Sequence, residues 1–138
     1  MFKKLRADIR AAKANDPAAR NKFEILLTYS GIKALMAYRR ANFFHRHGFK
    51  LLARMISQRA KRRTGIEIHP GATIAPGIFI DHGEGVVIGE TAVVETGCVI
   101  YQGVTLGGTG KDKAGWGWPR QSIRPGSRFS APPGRSWR

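Results

Sequence analysis

His82, with Asp81 directly before it, is the residue of this sequence best suited to move a proton. An imidazole titrates near neutral pH and can accept a proton from a hydroxyl group when a carboxylate orients its other nitrogen. Glu67 lies 15 residues earlier, close to the roughly 18 residues of one three-sided coil of hexapeptides, so we expect it one layer from His82. The alternative is a surface-loop histidine without a role, and the repeat around the pair favours the functional interpretation.

That repeat has a period of six residues, which neither an α-helix nor an ordinary strand shows. Its one irregular step covers eight residues, from Ile80 to Ile88, and contains Asp81 and His82. A hexapeptide period is typical of a parallel β-helix, in which three hexads form one triangular coil. The aliphatic guide positions are Ile68, Ile74, Ile80, Ile88, Val94, Ile100 and Leu106. The second inward positions, mostly small, are Ala72, Ile78, Ala92, Cys98 and Val104.

Other residues with chemical potential have simpler interpretations. We expect His69, before Pro70, to be structural at a corner, and Cys98 to fill the coil interior rather than act as a nucleophile. His45 and His47 lie near a predicted helix end and are expected to be solvated or to cap it. With only His69 and His82 in the repeat region, the sequence predicts no metal site.

The first 64 residues predict a small helical domain. Apolar spacing of three and four indicates four helices, the second with Asp16 as its N-cap and Pro17 at its first position. The last helix is expected to end in a basic run closed by Gly65. The predicted fold class is therefore α+β, with helices over residues 1–64 and a β-helix over residues 65–113.

Charge is distributed unevenly along the 138 residues, whose net charge is +15. Residues 1–64 carry +14, residues 65–113 carry −4 and residues 114–138 carry +5. Aromatic residues are not interleaved with the basic ones. We therefore interpret the positive charge as solvent-exposed faces of helices rather than as a nucleic-acid-binding surface. One cysteine and no long apolar run predict a soluble cytoplasmic protein without a disulfide or a membrane span.

Residues 114–138 differ from the rest in composition. They hold all three Trp and four of the seven Pro, with five Arg and no acid. Such a segment is consistent with an out-of-frame reading of a GC-rich gene, or with a linker or disordered tail. We expect it not to continue the coil, which would then be truncated after about two coils.

The motifs together resemble serine O-acetyltransferase, a hexapeptide-repeat acyltransferase. The matching stretches are 16–18 (DPA), 64–70 (TGIEIHP), 80–83 (IDHG), 85–92 (GVVIGETA) and 101–111 (YQGVTLGGTGK). The resemblance covers residues 1 to about 113. It implies a left-handed β-helix, assembly as a trimer or dimer of trimers, and acetyl transfer from acetyl-CoA to the hydroxyl of L-serine for cysteine synthesis, without a bound cofactor or metal.

The resemblance also implies residue roles. His82 would be the base and Glu67 the carboxylate that orients it. Asp81, Asp16 and Glu90 would hold the amino acid. The acetyl-CoA groove would include Gly107, Gly108 and Thr109.

The sequence departs from the family pattern after Lys113. The family continues with an Arg-His-Pro element and further hexads, whereas no His follows His82 here. A terminal isoleucine that docks into O-acetylserine sulfhydrylase is also replaced, by Arg138, so we expect no such docking. Two further functions stay open at this point: a hexapeptide acetyltransferase with another acceptor, and a non-catalytic truncated subunit.

Overall fold

The computed structural model of the protein describes residues 1–107 and 122–130. Within these two ranges, four helices are followed by nine strands of two residues each. The helices are α1 (Phe2–Asn15), α2 (Lys22–Thr28), α3 (Ser30–Arg46) and α4 (Lys50–Thr64). The strands are β1 (Glu67–Ile68), β2 (Thr73–Ile74), β3 (Phe79–Ile80), β4 (Val87–Ile88), β5 (Val93–Val94), β6 (Val99–Ile100), β7 (Thr105–Leu106), β8 (Ser122–Ile123) and β9 (Arg128–Phe129).

The strands stack into three parallel sheets, one for each side of a triangular coil. Their orders are β1-β4-β7, β2-β5-β8 and β3-β6-β9. Glu67 pairs with Val87 and Val87 pairs with Thr105, so successive layers are 20 and then 18 residues apart. The two extra residues of the first layer are those of the irregular step at His82.

The inward positions predicted from the period of six are confirmed. All seven guide residues are at most 8% exposed, and the five second positions are at most 6% exposed. Cys98 is among them, and burial raises the pKa of its thiol, as expected of a residue that fills space rather than attacks. The narrow interior of the coil therefore selects residue size at both positions of each hexad.

The expectation that the segment after residue 113 cannot continue the coil is wrong for residues 122–130. Val93 pairs with Ser122 and Val99 pairs with Arg128, each 29 residues along the chain instead of 18. Ile123 is 5% exposed and joins the interior. The coil thus has three strands on each side among the described residues, rather than ending after two layers.

The end of α4 agrees with the prediction from the sequence, whereas the start of α2 does not. Gly65 closes α4 with a φ of 72°, the left-handed conformation expected of that residue. Asp16 instead follows the end of α1, and Asn21 caps α2 by accepting a hydrogen bond from the Glu24 amide at 2.8 Å. The N-cap prediction for Asp16 is therefore wrong, which frees its carboxylate for other contacts.

Helices α1 and α3 pack on the outside of the β3-β6 face of the coil. Both residues of β3 and of β6 are buried, because Ile80 and Ile100 point into the coil while Phe79 and Val99 pack against the helices. Phe79 and Val99 share a second core with residues of three helices, among them Ala12, Ile25 and Ile32. This packing fixes the helices beside the irregular step.

Polar side chains of the helices also cover the first edge of the coil. Backbone groups of a terminal coil have no next layer to pair with, so they need other partners. Four helical side chains supply these partners. Three of them donate hydrogen bonds to backbone carbonyls: Ser57 to Ile68 at 2.6 Å, Asn42 to Pro70 at 2.8 Å and Tyr38 to Ala72 at 2.6 Å. The fourth, Asp8, accepts a hydrogen bond from the Gly77 amide at 2.9 Å. The helices therefore act as the cap that a short solenoid requires.

Candidate active site

The eight-residue step forms an outward bulge with His82 at its tip. His82 has a φ of 47°, and its carbonyl accepts a hydrogen bond from the Glu84 amide at 2.8 Å. Gly83 turns the backbone back toward the interior, where a Cβ would lie 2.5 Å from Ile66 Cδ1. Only glycine fits there, so the chain dips inward at Gly83 and projects the preceding side chain. The His82 side chain is 83% exposed.

The bulge forms one wall of a cleft of about 690 Å³. The opposite wall is helical: it includes Asp16 after α1, Tyr29 and Gly31 at the start of α3, and the last turn of α4. Asp81 and His82 both line it. The cleft thus brings together three residues that were predicted to share a site: Asp16, Asp81 and His82. Asp16 and Asp81 are 65 positions apart in the sequence.

Two carboxylates stand near the His82 imidazole. The Nε2 atom lies 3.5 Å from Asp81 Oδ1, a loose contact that becomes an ion pair when the ring is protonated. Asp16 also interacts electrostatically with His82 across the cleft. An imidazole at the tip of the bulge, exposed to the cleft and beside carboxylates, is placed as a group that exchanges a proton with a bound hydroxyl would need to be.

Asp16 is itself held in place by Tyr29. The Tyr29 hydroxyl donates to Asp16 Oδ2 at 2.5 Å, and the Ala18 amide donates to Asp16 Oδ1 at 2.9 Å. These hydrogen bonds, that of Tyr29 first, hold the pKa of Asp16 below its ordinary value. The same bond raises the pKa of Tyr29 to about 12. Asp16 is therefore a fixed carboxylate that stays ionised in mild acid.

Glu67 does not contact His82 in the described part of the chain. Its carboxylate pairs with Lys61 of α4 at 2.8 Å and accepts from Gln58 at 3.3 Å. The Lys61 bond is the main reason that the pKa of Glu67 lies below its ordinary value. In this single chain the described carboxylate within ion-pair distance of the His82 imidazole is that of Asp81, at 3.5 Å.

Glu90 and Gly107 are absent from the cleft lining among the described residues. Glu90 sits beside Gly71, where a Cβ would come within 2.9 Å of its Cγ. Gly107 stacks on Gly89, and a Cβ on Gly89 would be 3.2 Å from the Gly107 Cα. The remaining two predicted acetyl-CoA residues, Gly108 and Thr109, fall outside the described residues.

Apart from Asp16, sequence reasoning missed the helical side of the cleft. Tyr29 belongs to no motif, and its role depends on Asp16 being outside a helix. Arg62 and Arg63 also line the cleft, although the sequence suggested only a basic helix end. Because the lining includes these two arginines as well as Asp16 and Asp81, the cleft offers both signs of charge, which suits a zwitterion such as a free amino acid.

Within residues 1–107 and 122–130, no group of three or more His, Cys, Asp or Glu side chains could hold a metal ion. No helix in those ranges is long and apolar enough to span a membrane.

Comparison with known proteins places these motifs among serine acetyltransferases. The enzyme of Synechococcus elongatus is 55% identical over 111 residues, which are 80% of this chain and 46% of that protein. The enzyme of Helicobacter pylori is 61% identical over 98 residues, which are 71% of this chain and 57% of that protein. No family model matches the chain.

Solved structures agree with the sequence comparison. The serine acetyltransferase of Vibrio cholerae superposes with a TM-score of 0.87 at 42% identity, over 94% of this chain and 49% of that chain. A serine acetyltransferase in complex with CoA superposes with a TM-score of 0.82 at 34% identity, over 92% and 51%. The predicted resemblance is confirmed, and the chain spans about half the length of the relatives that it matches.

Proposed function

We propose that the His82 cleft is the acceptor site of a serine O-acetyltransferase, which moves the acetyl group of acetyl-CoA to the hydroxyl of L-serine. The observation that carries the proposal is the meeting of His82, Asp81 and Asp16 in one cleft that also holds two arginines. The names of the matched relatives and the CoA complex of one of them support the substrates.

The reaction follows from the chemistry of the cleft. Asp16 and Asp81 bind the ammonium group of serine, and Arg62 or Arg63 binds its carboxylate. The His82 imidazole takes the hydroxyl proton while the serine oxygen attacks the thioester carbon. The C–S bond then breaks, and the CoA thiolate takes from the imidazolium the proton that came from the serine hydroxyl.

His82→Ala tests the base directly. Loss of a positioned base is expected to lower the rate of thiol release from acetyl-CoA in the presence of serine about 10²- to 10⁴-fold. His45→Ala is the matched control, since His45 lies in α3 and outside the cleft lining. Near-normal turnover by His82→Ala would show that another group is the base.

The orienting carboxylate is tested by a pair of isosteric changes. Family resemblance assigns the role to Glu67, while the contact at 3.5 Å assigns it to Asp81. We retain Glu67 as the proposed partner in the assembled enzyme and expect Glu67→Gln to lower kcat with little change in KM. If only Asp81→Asn lowers kcat, Asp81 holds that role and Glu67 is a structural partner of Lys61.

We also propose a left-handed coil that assembles as a trimer or a dimer of trimers in the cytoplasm. Family resemblance supports the handedness and the assembly. Large apolar side chains exposed on or beside the helices favour association. They include Phe2, Phe23, Leu27, Phe43, Phe49, Leu51, Leu52 and Met55. Sedimentation at working concentration tests this assembly. We expect the active site to lie between neighbouring subunits, and a fully active monomer would refute that arrangement.

Activity of this chain is expected to fall below that of a version carrying the family's Arg-His-Pro element after Lys113. The reason is that His82 is the last histidine of the sequence, so a second substrate-binding His is lacking. The acetyl-CoA groove around Gly107, Gly108 and Thr109, and the contact of Glu90 with the amino acid, remain proposals. Equal turnover of the two versions would show that the second His is dispensable.

A further inference from the structure

Tyr29 forms the joint between α2 and α3, and its backbone is held from both sides. The Tyr29 amide donates to the Ile25 carbonyl at 3.1 Å, and the Tyr29 carbonyl accepts from the Lys33 amide at 3.2 Å. Its half-buried ring packs against the second core, which contains Ile25 and Ile32. The phenol is therefore fixed to the helical core, and it forms part of the lining of the His82 cleft.

Asp16 lies in a less constrained segment, the connection between α1 and α2. Among the described residues, its carboxylate has two hydrogen-bond donors. One is the Ala18 amide at 2.9 Å, which belongs to the same connection and moves with it. The other is the Tyr29 hydroxyl at 2.5 Å, which belongs to the helical core. Tyr29 is thus the donor that ties the direction of this carboxylate to the packed part of the molecule.

The surroundings of the Tyr29 phenol keep it protonated, so that it stays a donor. Its hydrogen bond to Asp16 is the main cause of its raised pKa, followed by burial and by the negative charges of Asp16, Glu24 and Asp81. A neutral phenol orients the Asp16 carboxylate without cancelling its charge. Because a carboxylate has about four lone-pair sites, the two donors leave Asp16 with acceptor capacity for a ligand in the cleft.

We propose that Tyr29 is a positioning residue of the acceptor site, which holds the Asp16 carboxylate in the direction in which it binds the ammonium group of the amino acid. This inference rests on the proposed function. A carboxylate that is already oriented binds an ammonium group without a further cost of ordering. Tyr29 has no part in the proposed proton transfer at His82, so it should act on affinity for the acceptor and leave the chemical step unchanged. Acceptors that lack an ammonium group should gain nothing from it.

Calorimetric titration of the purified chain with L-serine, in the absence of acetyl-CoA, tests the proposal. We expect Tyr29→Phe to raise the Kd for serine about three- to tenfold, the size of one net hydrogen bond. The Kd for 3-hydroxypropionate, which is serine without its amino group, should stay within about twofold of the wild-type value. In steady-state kinetics the KM for serine should rise by a similar factor, while kcat at saturating serine stays within about twofold.

A double-variant cycle shows whether Tyr29 acts through Asp16. Asp16→Asn should weaken serine binding by itself, because it removes the charge that Tyr29 orients. Adding Tyr29→Phe to Asp16→Asn should then change the Kd by less than about twofold. If the two changes instead multiply as independent effects, Tyr29 does not act through Asp16 and the proposal is overturned.

Tyr101→Phe is the matched control for the loss of a phenol hydroxyl. The Tyr101 hydroxyl accepts a hydrogen bond from Arg128 at 3.1 Å, and Tyr101 is not among the described residues that line the cleft. Its Kd for serine should stay within about twofold of the wild-type value. Equal weakening by Tyr101→Phe and Tyr29→Phe would refute a specific role of Tyr29.

The outcomes separate this inference from the proposed function. If the wild-type chain binds serine and Tyr29→Phe binds it equally well, the inference fails and the proposed function stands. If Tyr29→Phe weakens serine and 3-hydroxypropionate alike, the change disturbs the whole cleft and the inference fails as well. A wild-type chain that neither binds nor acetylates serine refutes the proposed function and, with it, the role of Tyr29.

Discussion

Replacing Gly31 with alanine is expected to separate α3 from the coil at the proposed catalytic cleft. Gly31 is buried at the start of α3 and lies against Ile80, the residue immediately before Asp81 and His82. A Cβ at Gly31 would lie 2.4 Å from the Ile80 carbonyl oxygen and 2.9 Å from the Ile80 Cβ. Both are backbone or backbone-proximal atoms, so no rotamer change can relieve the contact.

The size of the effect follows from these distances. Ordinary van der Waals contact starts at 3.4 Å, so helix and coil must move apart by about 1 Å at this point. Overpacking of a well-filled site costs about 1–3 kcal/mol. The gain in helix propensity from glycine to alanine is at most about 1 kcal/mol and smaller near a helix end. We therefore expect Gly31→Ala to lower the free energy of unfolding by about 1–2 kcal/mol.

Urea unfolding followed by circular dichroism measures the stability term, at fixed protein concentration because the chain is expected to associate. Ser30→Ala is the matched control: Ser30 is the exposed neighbour on α3, and its change should stay within about 0.5 kcal/mol. A 1 Å displacement beside the bulge should also reduce turnover by up to about 10²-fold. If the Gly31→Ala variant proves as stable as the Ser30→Ala variant, the close packing of α3 on Ile80 is refuted.

Two further predictions concern the polar contacts of α1 and of the residues that follow it. Asp8→Ala should lower the free energy of unfolding by about 3–5 kcal/mol, because it leaves the Arg39 charge buried without its partner. For the same reason, the double variant Asp8→Leu with Arg39→Met should be more stable than Asp8→Leu alone. Urea unfolding measures both, and a double variant no more stable than the single one would contradict the buried-charge explanation. Tyr29→Phe should raise the pKa of Asp16, measured by carbon NMR of the carboxyl group, because the hydrogen bond that lowers it is lost. While Asp16 is ionised, the Tyr29 bond should stabilise the fold fully up to pH 10.0 and progressively less as pH rises through about 12, since the folded pKa of Tyr29 lies above its ordinary value. A phenol that titrates near pH 10.0 would show that the bond does not form.

The coil was predictable from sequence because its geometry acts on each hexad separately. A guide residue such as Ile88 must fill the interior whatever surrounds it, so the period of six is visible in the residue types alone. The outward bulge was predictable for the same reason, since an eight-residue step has two residues more than the coil can accommodate. His82 could therefore be identified before any contact was known.

Contacts that depend on how the helices dock were not visible in the sequence. Asp16 fits the N-cap pattern with Pro17, yet the chain runs on to Asn21 before α2 begins. The strands β8 and β9 were missed because residues 108–121 interrupt the period, which removes the register from which a hexad is recognised. Glu67 was placed by counting residues, and a count gives the layer but not the direction of the side chain, which Lys61 attracts.

The helical segment performs two tasks that the coil cannot perform alone. Its side chains satisfy the first edge of the coil through Ser57, Asn42, Tyr38 and Asp8, and an unsatisfied edge would otherwise invite pairing with other chains. The same docking brings Asp16 to the bulge, where the coil supplies only Asp81 and His82. A change that displaces α3 should therefore weaken both, because α3 supplies Tyr38 and Asn42 to the cap and Gly31 to the cleft lining.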